Sequence, residues 1–342
     1  MQTSAFPPAP SAVVDPSGAP AFGAYQGYVP AVTWDGLRGP WRPRALDKII
    51  RRKTWHYAGI FGAETVVAFA IIHVGYAASA FAYIFDRTQK KLLCDFSWTG
   101  LPRASTFTAS PGEGARSRFA SGKNELVVER PFGTEAWHLH GKGPRGFSIE
   151  ARLDARVTDA SGAPSLCAIA QIDRAGGGIA NCTHKTLSLP ATGSATIDGQ
   201  RFDLAGGYGG LDHTWGLLSR DTTWRWASAS SKDVSFNLVE GFNGPVENVM
   251  WVAGQMVPVG AVRFTYDKTD TRRPWTIVAE NGSLELTFTP EGERREDKSL
   301  IVAKSWYVQP IGTFRGVARL PGGATVSIDQ VAGVTEDHVA KW

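Results

Sequence analysis

The sequence predicts an all-β protein made of two tandem antiparallel barrel or sandwich domains with little helix. Three observations predict it. Strand-like runs recur at roughly the 8- to 15-residue spacing of sandwiches and barrels. Helical periodicity is nearly absent. Among 342 residues, 38 glycines supply turns and 12 tryptophans supply bulky filling for a wide β interior. At about 150 residues per domain, a chain of this length holds two domains comfortably.

The elements follow in order. The first 24 residues are rich in Pro, Ala and Ser and lack the basic start and apolar stretch of a secretory signal. They are expected to form a disordered tail, and the protein is expected to be cytoplasmic. Residues 44–53, short and basic with Pro43 near the start, form the best helical stretch. Residues 65–85 carry no Asp, Glu, Lys or Arg and reach the length of a membrane-spanning helix. Their alternation of larger and smaller side chains, as in Val67, Ala68, Phe69, Ala70 and Ile71, predicts two buried strands meeting near Gly75 instead. Alternation then continues to Leu93 across a turn at residues 86–90. Further strands are expected over 126–129, 136–140, 147–157, 196–204, 224–229, 235–241, 262–266, 283–289 and 324–330. A break in the pattern at residues 176–194 sets the expected boundary, dividing the chain into domains over 25–190 and 191–342.

Charge excludes one function class. The 36 basic and 32 acidic residues leave a net charge of +4 with no long run of either sign, so a nucleic-acid partner is not expected. Cys94, Cys167 and Cys182 are too few for a disulfide scaffold and contain no Cys-x-x-Cys, so they are expected as free, buried thiols. His138 and His140 would project from one strand face and could hold zinc with His56 or His184. No third ligand has diagnostic spacing, and neither metal nor cofactor is expected.

The chemistry-bearing stretch runs from Tyr208 through Gly209, Gly210, Leu211, Asp212, His213, Thr214, Trp215 and Gly216. Trp224, Trp226, Asn237, Glu247, Asn248 and Trp251 follow. With Lys53 to Tyr57, Gly75 to Phe81, Pro274 to Ile277, Leu286 to Pro290 and the ending Thr335 to Trp342, this series resembles the bacterial family called domain of unknown function 2804 over most of the chain. Asp212 to Gly216 is also similar to the Asp-His-x-Trp-Gly element of the AttH-like and carotenoid hydratase group. That resemblance implies tandem lipocalin-like domains and cofactor-free reactions on isoprenoid or polyketide ligands. It also implies that Asp212 is the proton donor. Thr214 stands where the hydratases tend to have Asn.

The residues themselves allow such chemistry. Protonating an alkene carbon needs a neutral acid and an aromatic wall facing the cation, and burial beside indoles raises a carboxyl pKa. Asp212 is the candidate acid, with His213 and Tyr208 as its catalytic companions. Trp215, Trp224, Trp226, Trp251, Asn237, Glu247, Asn248, His56 and Tyr76 are the candidate ligand-binding residues. His213 and Asp212, as strand neighbours, point to opposite faces unless a bulge at Gly209 and Gly210 intervenes. The expected function is binding of a hydrophobic small molecule, with hydration, isomerisation or cyclisation at Asp212. The alternative is a carrier or sensor with no chemistry, in which Asp212 accepts turn hydrogen bonds and the tryptophans are core. Two further features remain open in the sequence. Glu336, Asp337 and His338 could serve the cavity or merely end a chain held by Trp342. Arg51, Arg52 and Lys53 could touch a membrane surface or snorkel at a barrel rim.

Overall fold

The computed structural model describes residues 6–156, 164–299 and 304–342. Among them, strands assemble into two curled sheets of fourteen and nine members, each a half-barrel, with all pairings between strands antiparallel. Lipocalin-like architecture is therefore the fold. No helix of the described residues is long and apolar enough to cross a membrane.

Five neighbouring strands of the first sheet position the site: Ala78–Asp86, Thr65–His73, Arg52–Phe61, Tyr208–Leu217 and Ala180–Ile197, in that spatial order. The charge-free stretch is thus a hairpin, with Thr65–His73 and Ala78–Asp86 joined across Gly75. In the second sheet Asp221–Ala229, Thr325–Lys341, Lys304–Arg319 and Leu284–Ser299 lie side by side. Alternate side chains of each sheet fill its own curl. Phe69, Ile71, Trp137 and Leu153 do so in the first, and Phe236, Trp275, Leu286 and Phe314 in the second. The opposite faces meet between the sheets, where Tyr57, Val66, Tyr83 and Phe85 pack with Trp226, Val239, Ile311 and Val334.

Several expectations change. The chain passes from the first sheet to the second between Leu217 and Asp221, not near residue 190. The Gly- and Pro-rich stretch that resembled a linker lies largely within the 18-residue strand Ala180–Ile197. There Gly193 adopts φ +108 because any Cβ would sit 2.1 Å from the Glu150 carbonyl oxygen, so this glycine marks a close approach of two strands. The Asp212 strand accordingly belongs to the first sheet. The expected run 196–204 is two strands turning at Asp198 and Gly199, both at positive φ, the pairing that favours a tight hairpin. Only Asp47–Ile50 is α-helical in the stretch 44–53, because Arg52 already pairs in the sheet. Residues 1–5 of the expected tail and residue 157 of an expected strand lie outside the described residues. The remainder of that tail is built into the fold: Phe6 and Val13 are buried, and Pro8 bridges to Gln26. Proline and alanine favour extended backbone there, and the segment's apolar side chains cover the outer strands around Cys167 and Cys182.

Candidate functional site

Cross-strand register builds the site. Tyr57, Asp212 and Lys185 sit directly opposite one another on three adjacent strands, so their side chains share the face turned toward the second sheet. Facing them, Trp224 aligns with His338 and Tyr307, and Trp226 aligns with Glu336. Between the two rows lies a cavity of about 220 Å³, just below the range of about 300 to 1,000 Å³ common for ligand pockets. Trp55, Tyr57, Phe81, Trp224, Trp226 and Phe242 form much of its wall, while Tyr76, Lys304 and Lys341 are exposed at its rim.

A charged network forms one end. Lys185 Nζ reaches Asp212 Oδ2 at 2.7 Å and Glu247 Oε1 at 2.9 Å, and the lysine is only 3% exposed. Burial alone would lower its pKa, but the two carboxylates together raise it, so it stays cationic. Asp212 also accepts from Trp55 Nε1 at 3.3 Å and faces the Thr183 and Thr214 hydroxyls at 3.1 and 3.0 Å. The two hydroxyls are themselves linked, Thr214 Oγ1 reaching Thr183 Oγ1 at 2.7 Å. Asn237 Nδ2 holds the Glu247 carbonyl at 3.0 Å while its Oδ1 accepts from Trp226 Nε1 at 2.8 Å, and Asn243 donates to Glu247 Oε2.

A buried carboxyl stands on the opposite wall. Glu336 is 7% exposed and its pKa is raised to about 7, chiefly by burial. Trp224 Nε1 at 2.7 Å, the Tyr307 hydroxyl and Gln309 Nε2 at 3.1 Å stabilise its anion and limit the rise, whereas nearby Asp212 adds to it. His338 shares the wall, donating or accepting with Ser305 Oγ at 2.9 Å through Nε2, and burial lowers its pKa to about 3. The buried hydroxyl of Tyr57 approaches that of Tyr83, and the His338 Nδ1 lies 3.9 Å from Glu336 Oε1. Burial drives Tyr57 and Tyr307 well above the ordinary phenol range, so they remain neutral donors. A second cation, Arg294, lies 4.1 Å over the Phe81 ring and pairs with Asp95 at 3.1 Å and Glu296 at 3.6 Å.

Of the expected site residues, Asp212, Trp224, Trp226, Glu247 and Tyr76 line this cavity, and Asn237 supports it from behind. Others lie elsewhere. His213 and His56 project to the far face, with ring centroids 5.1 Å apart, because strand neighbours alternate and no bulge rescues them. Burial holds His213 near pKa 3. Trp215 packs under Arg52, whose guanidinium sits 4.5 Å above the ring, among the N-terminal residues. Trp251 is buried near Phe6 and donates to the Pro164 carbonyl at 2.6 Å. Asn248 ties the backbones of Val239 and Gly260, and Tyr208 starts its strand opposite Phe61, outside the lining. The basic trio is no free edge either: Arg51 pairs with Asp47 at 2.7 Å, Arg52 stacks on Trp215 and Lys53 is buried. Sequence reading missed Trp55, Tyr57, Lys185 and Tyr307. Lys185 gave no signal, since a single lysine in an apolar strand acquires meaning only from its register with Asp212.

No curated protein sequence matches the chain. Solved structures share its fold. Kievitone hydratase from Nectria haematococca is 11% identical, with 97% of this chain and 98% of that one aligned at a TM-score of 0.53. CghA with Sch210972 is 10% identical over 98% of this chain and 97% of that one, at 0.56. A protein described as AttH from Nitrosomonas europaea is 13% identical over 92% and 99%, at 0.50. The matching family model spans residues 8–342, and with it the strands that carry Lys185, Asp212 and Glu336: the chain belongs to the domain of unknown function family DUF2804.

Proposed function

We propose that the cavity binds an apolar small molecule bearing a carbonyl or hydroxyl, and that Glu336 transfers a proton to or from it in a cofactor-free hydration, isomerisation or cyclisation. One observation carries this reading. A buried carboxyl with a pKa near 7 faces an aromatic cavity beside two buried phenols, Tyr57 and Tyr307. A general acid works best when its pKa lies near the working pH, and such transfer contributes about a hundred- to ten-thousand-fold in rate. Tyr57 and Tyr307 would donate to the ligand oxygen, where two preorganised donors stabilise developing negative charge. Developing positive charge would meet indole faces and two trios of one cation and two carboxylates, Lys185 with Asp212 and Glu247, and Arg294 with Asp95 and Glu296. Asp212, expected from the sequence as the acid, positions Lys185 in this scheme, at 2.7 Å. The likeness in fold to a hydratase supports the class of reaction.

The alternative is a carrier using the same cavity. Mass spectrometry of ligand extracted from protein purified from its host would name the substrate class. With that compound in hand, Glu336→Gln is expected to abolish turnover and leave affinity within a few-fold. Equal loss of both overturns the catalytic role and leaves the carrier.

We also propose that the cavity rim contacts an anionic membrane surface from which an apolar ligand enters. Leu46, Ile49, Ile50, Tyr76 and Leu101 are five of the eight large hydrophobic side chains exposed among the described residues. They lie together: a Cβ on Gly75 would meet the Ile49 carbonyl oxygen, and Gly100 pairs with Ala78. Exposed Arg42, Arg44, Lys48 and Arg103 flank them.

A further inference from the structure

Cys167, Cys182 and His184 form a second cluster on the face of the first sheet turned away from the cavity. Cys167 on the Leu166–Gln171 strand stands opposite His184, and Ile169 stands opposite Cys182, so the two thiols lie diagonally across one ladder. Cys182 and His184, two residues apart on one strand, share a face. Their Sγ and Nδ1 atoms and the Cys167 Sγ all lie within 4.8 Å of one another, and none of the three residues is more than 1% exposed. Cys182 Sγ is 3.9 Å from His184 Nδ1. Donors bonded to one three-coordinate ion at about 2.3 Å for sulfur and 2.0 to 2.1 Å for nitrogen would be about 3.7 to 4.0 Å apart, so little movement is needed.

We propose that Cys167, Cys182 and His184 bind a soft d10 metal ion, copper(I). Thiolate donors select soft ions over magnesium, calcium or manganese. The cluster offers three His, Cys or carboxylate donors among the described residues, a number that satisfies copper(I), whereas zinc asks for four. On binding, copper forms bonds to both sulfurs and to His184 Nδ1, and each S–H bond at the ion breaks and releases its proton to solvent. The Nδ1 proton moves to Nε2, where the long 3.4 Å bond from the Val29 N–H gives way. No atom changes oxidation state. Tyr28, stacked 5.5 Å from His184, and Val13, Val29 and Val32 close the site from solvent. The ion would join two neighbouring strands of the first sheet beneath the N-terminal segment.

The test uses the full chain, reduced, with copper(I) supplied by a coloured chelator of known affinity, both to the native protein and during refolding. Zinc alone is titrated in parallel. The expected result is one equivalent of copper(I), release of protons on binding, and near-ultraviolet absorption from thiolate to copper. Cys182→Ser and His184→Gln, each verified as folded by circular dichroism, should weaken copper binding at least tenfold. Should either variant fail to fold, proton release and the absorption band in the wild-type chain decide the matter. Absence of uptake by both loading routes, or a chain two mass units lighter from a Cys167–Cys182 disulfide, overturns the site. Tight stoichiometric zinc with weak copper overturns the choice of ion.

Discussion

Lys185 and Asp212 stand opposite each other on neighbouring strands, and their 2.7 Å contact ties a buried ammonium to the end of the cavity between the sheets. Glu247 completes the arrangement from a turn in the second half of the chain. The cluster therefore joins the two sheets as well as shaping the cavity.

Removing the cation tests that join. Lys185→Met leaves two buried carboxylates without their partner and should cost about 3 to 5 kcal/mol, read from urea unfolding. Adding Asp212→Asn and Glu247→Gln should restore part of the loss. An unchanged midpoint for the single variant would mean that the network contributes nothing to stability.

Glu336 makes stability depend on pH with a definite sign. Its pKa rises from 4.5 to about 7 on folding, so the folded chain holds the proton more tightly. Stability should be fully supported below about 4.5 and decline as pH rises through 7, by about 3 kcal/mol at most. His213 and His338, lowered from 6.5 to about 3, act oppositely and reduce stability as pH falls below 6.5. The difference between wild type and Glu336→Gln isolates the glutamate. That difference should grow in favour of the variant between pH 5 and pH 8, roughly the interval between the two pKa values.

Tyr57→Phe and Tyr307→Phe separate ligand contact from packing. Each removes a buried hydroxyl that approaches another buried polar group, so thermal stability should fall by about 1 kcal/mol. Affinity for the extracted ligand should fall by about tenfold per hydroxyl that it engages. Unchanged affinity in both variants would remove the tyrosines from the site.

Gly75→Ala probes the rim. Gly75 has φ +88, and an added Cβ would lie 1.8 Å from the Ile49 carbonyl oxygen. Destabilisation of about 1 to 3 kcal/mol is expected, with faster proteolysis near residues 44–52. Wild-type resistance to cleavage there would show that the short helix does not depend on this approach.

Vesicle sedimentation checks the membrane contact. Binding to vesicles with about one-third phosphatidylserine should exceed that to neutral ones, weaken as salt rises, and fall when Leu46 and Ile49 are both changed to Asp. Equal partition of wild type and variant would exclude this surface.

The strand-forming stretches were legible because apolar alternation and turn residues are local properties. Residues 65–85 show how: alternation around Gly75 distinguished a buried hairpin from a spanning helix. Composition misled where Pro and Gly carried tertiary meaning. Residues 6–22 looked like a tail because their few apolar side chains find partners in distant parts of the chain, among them the strands around Cys167 and Cys182 and, for Phe6, Trp251. Gly193 looked like a linker because its reason for being glycine is the backbone of Glu150.

The Asp212 motif lies on a strand that lines the cavity and Trp224 and Trp226 stand in its wall, while the proposed proton transfer rests on Glu336. Local reading sees an acid among indoles and expects burial to raise its pKa. Only the fold reveals that Lys185, Trp55, Thr183 and Thr214 surround Asp212, and that Glu336, 124 positions later, is a carboxyl raised to about 7. By itself the sequence determined an all-β chain with an aromatic interior, since strand patterning is written in neighbouring residues. The tertiary structure decided where the cavity lies and which side chains share it, because register and burial join residues that the chain holds far apart.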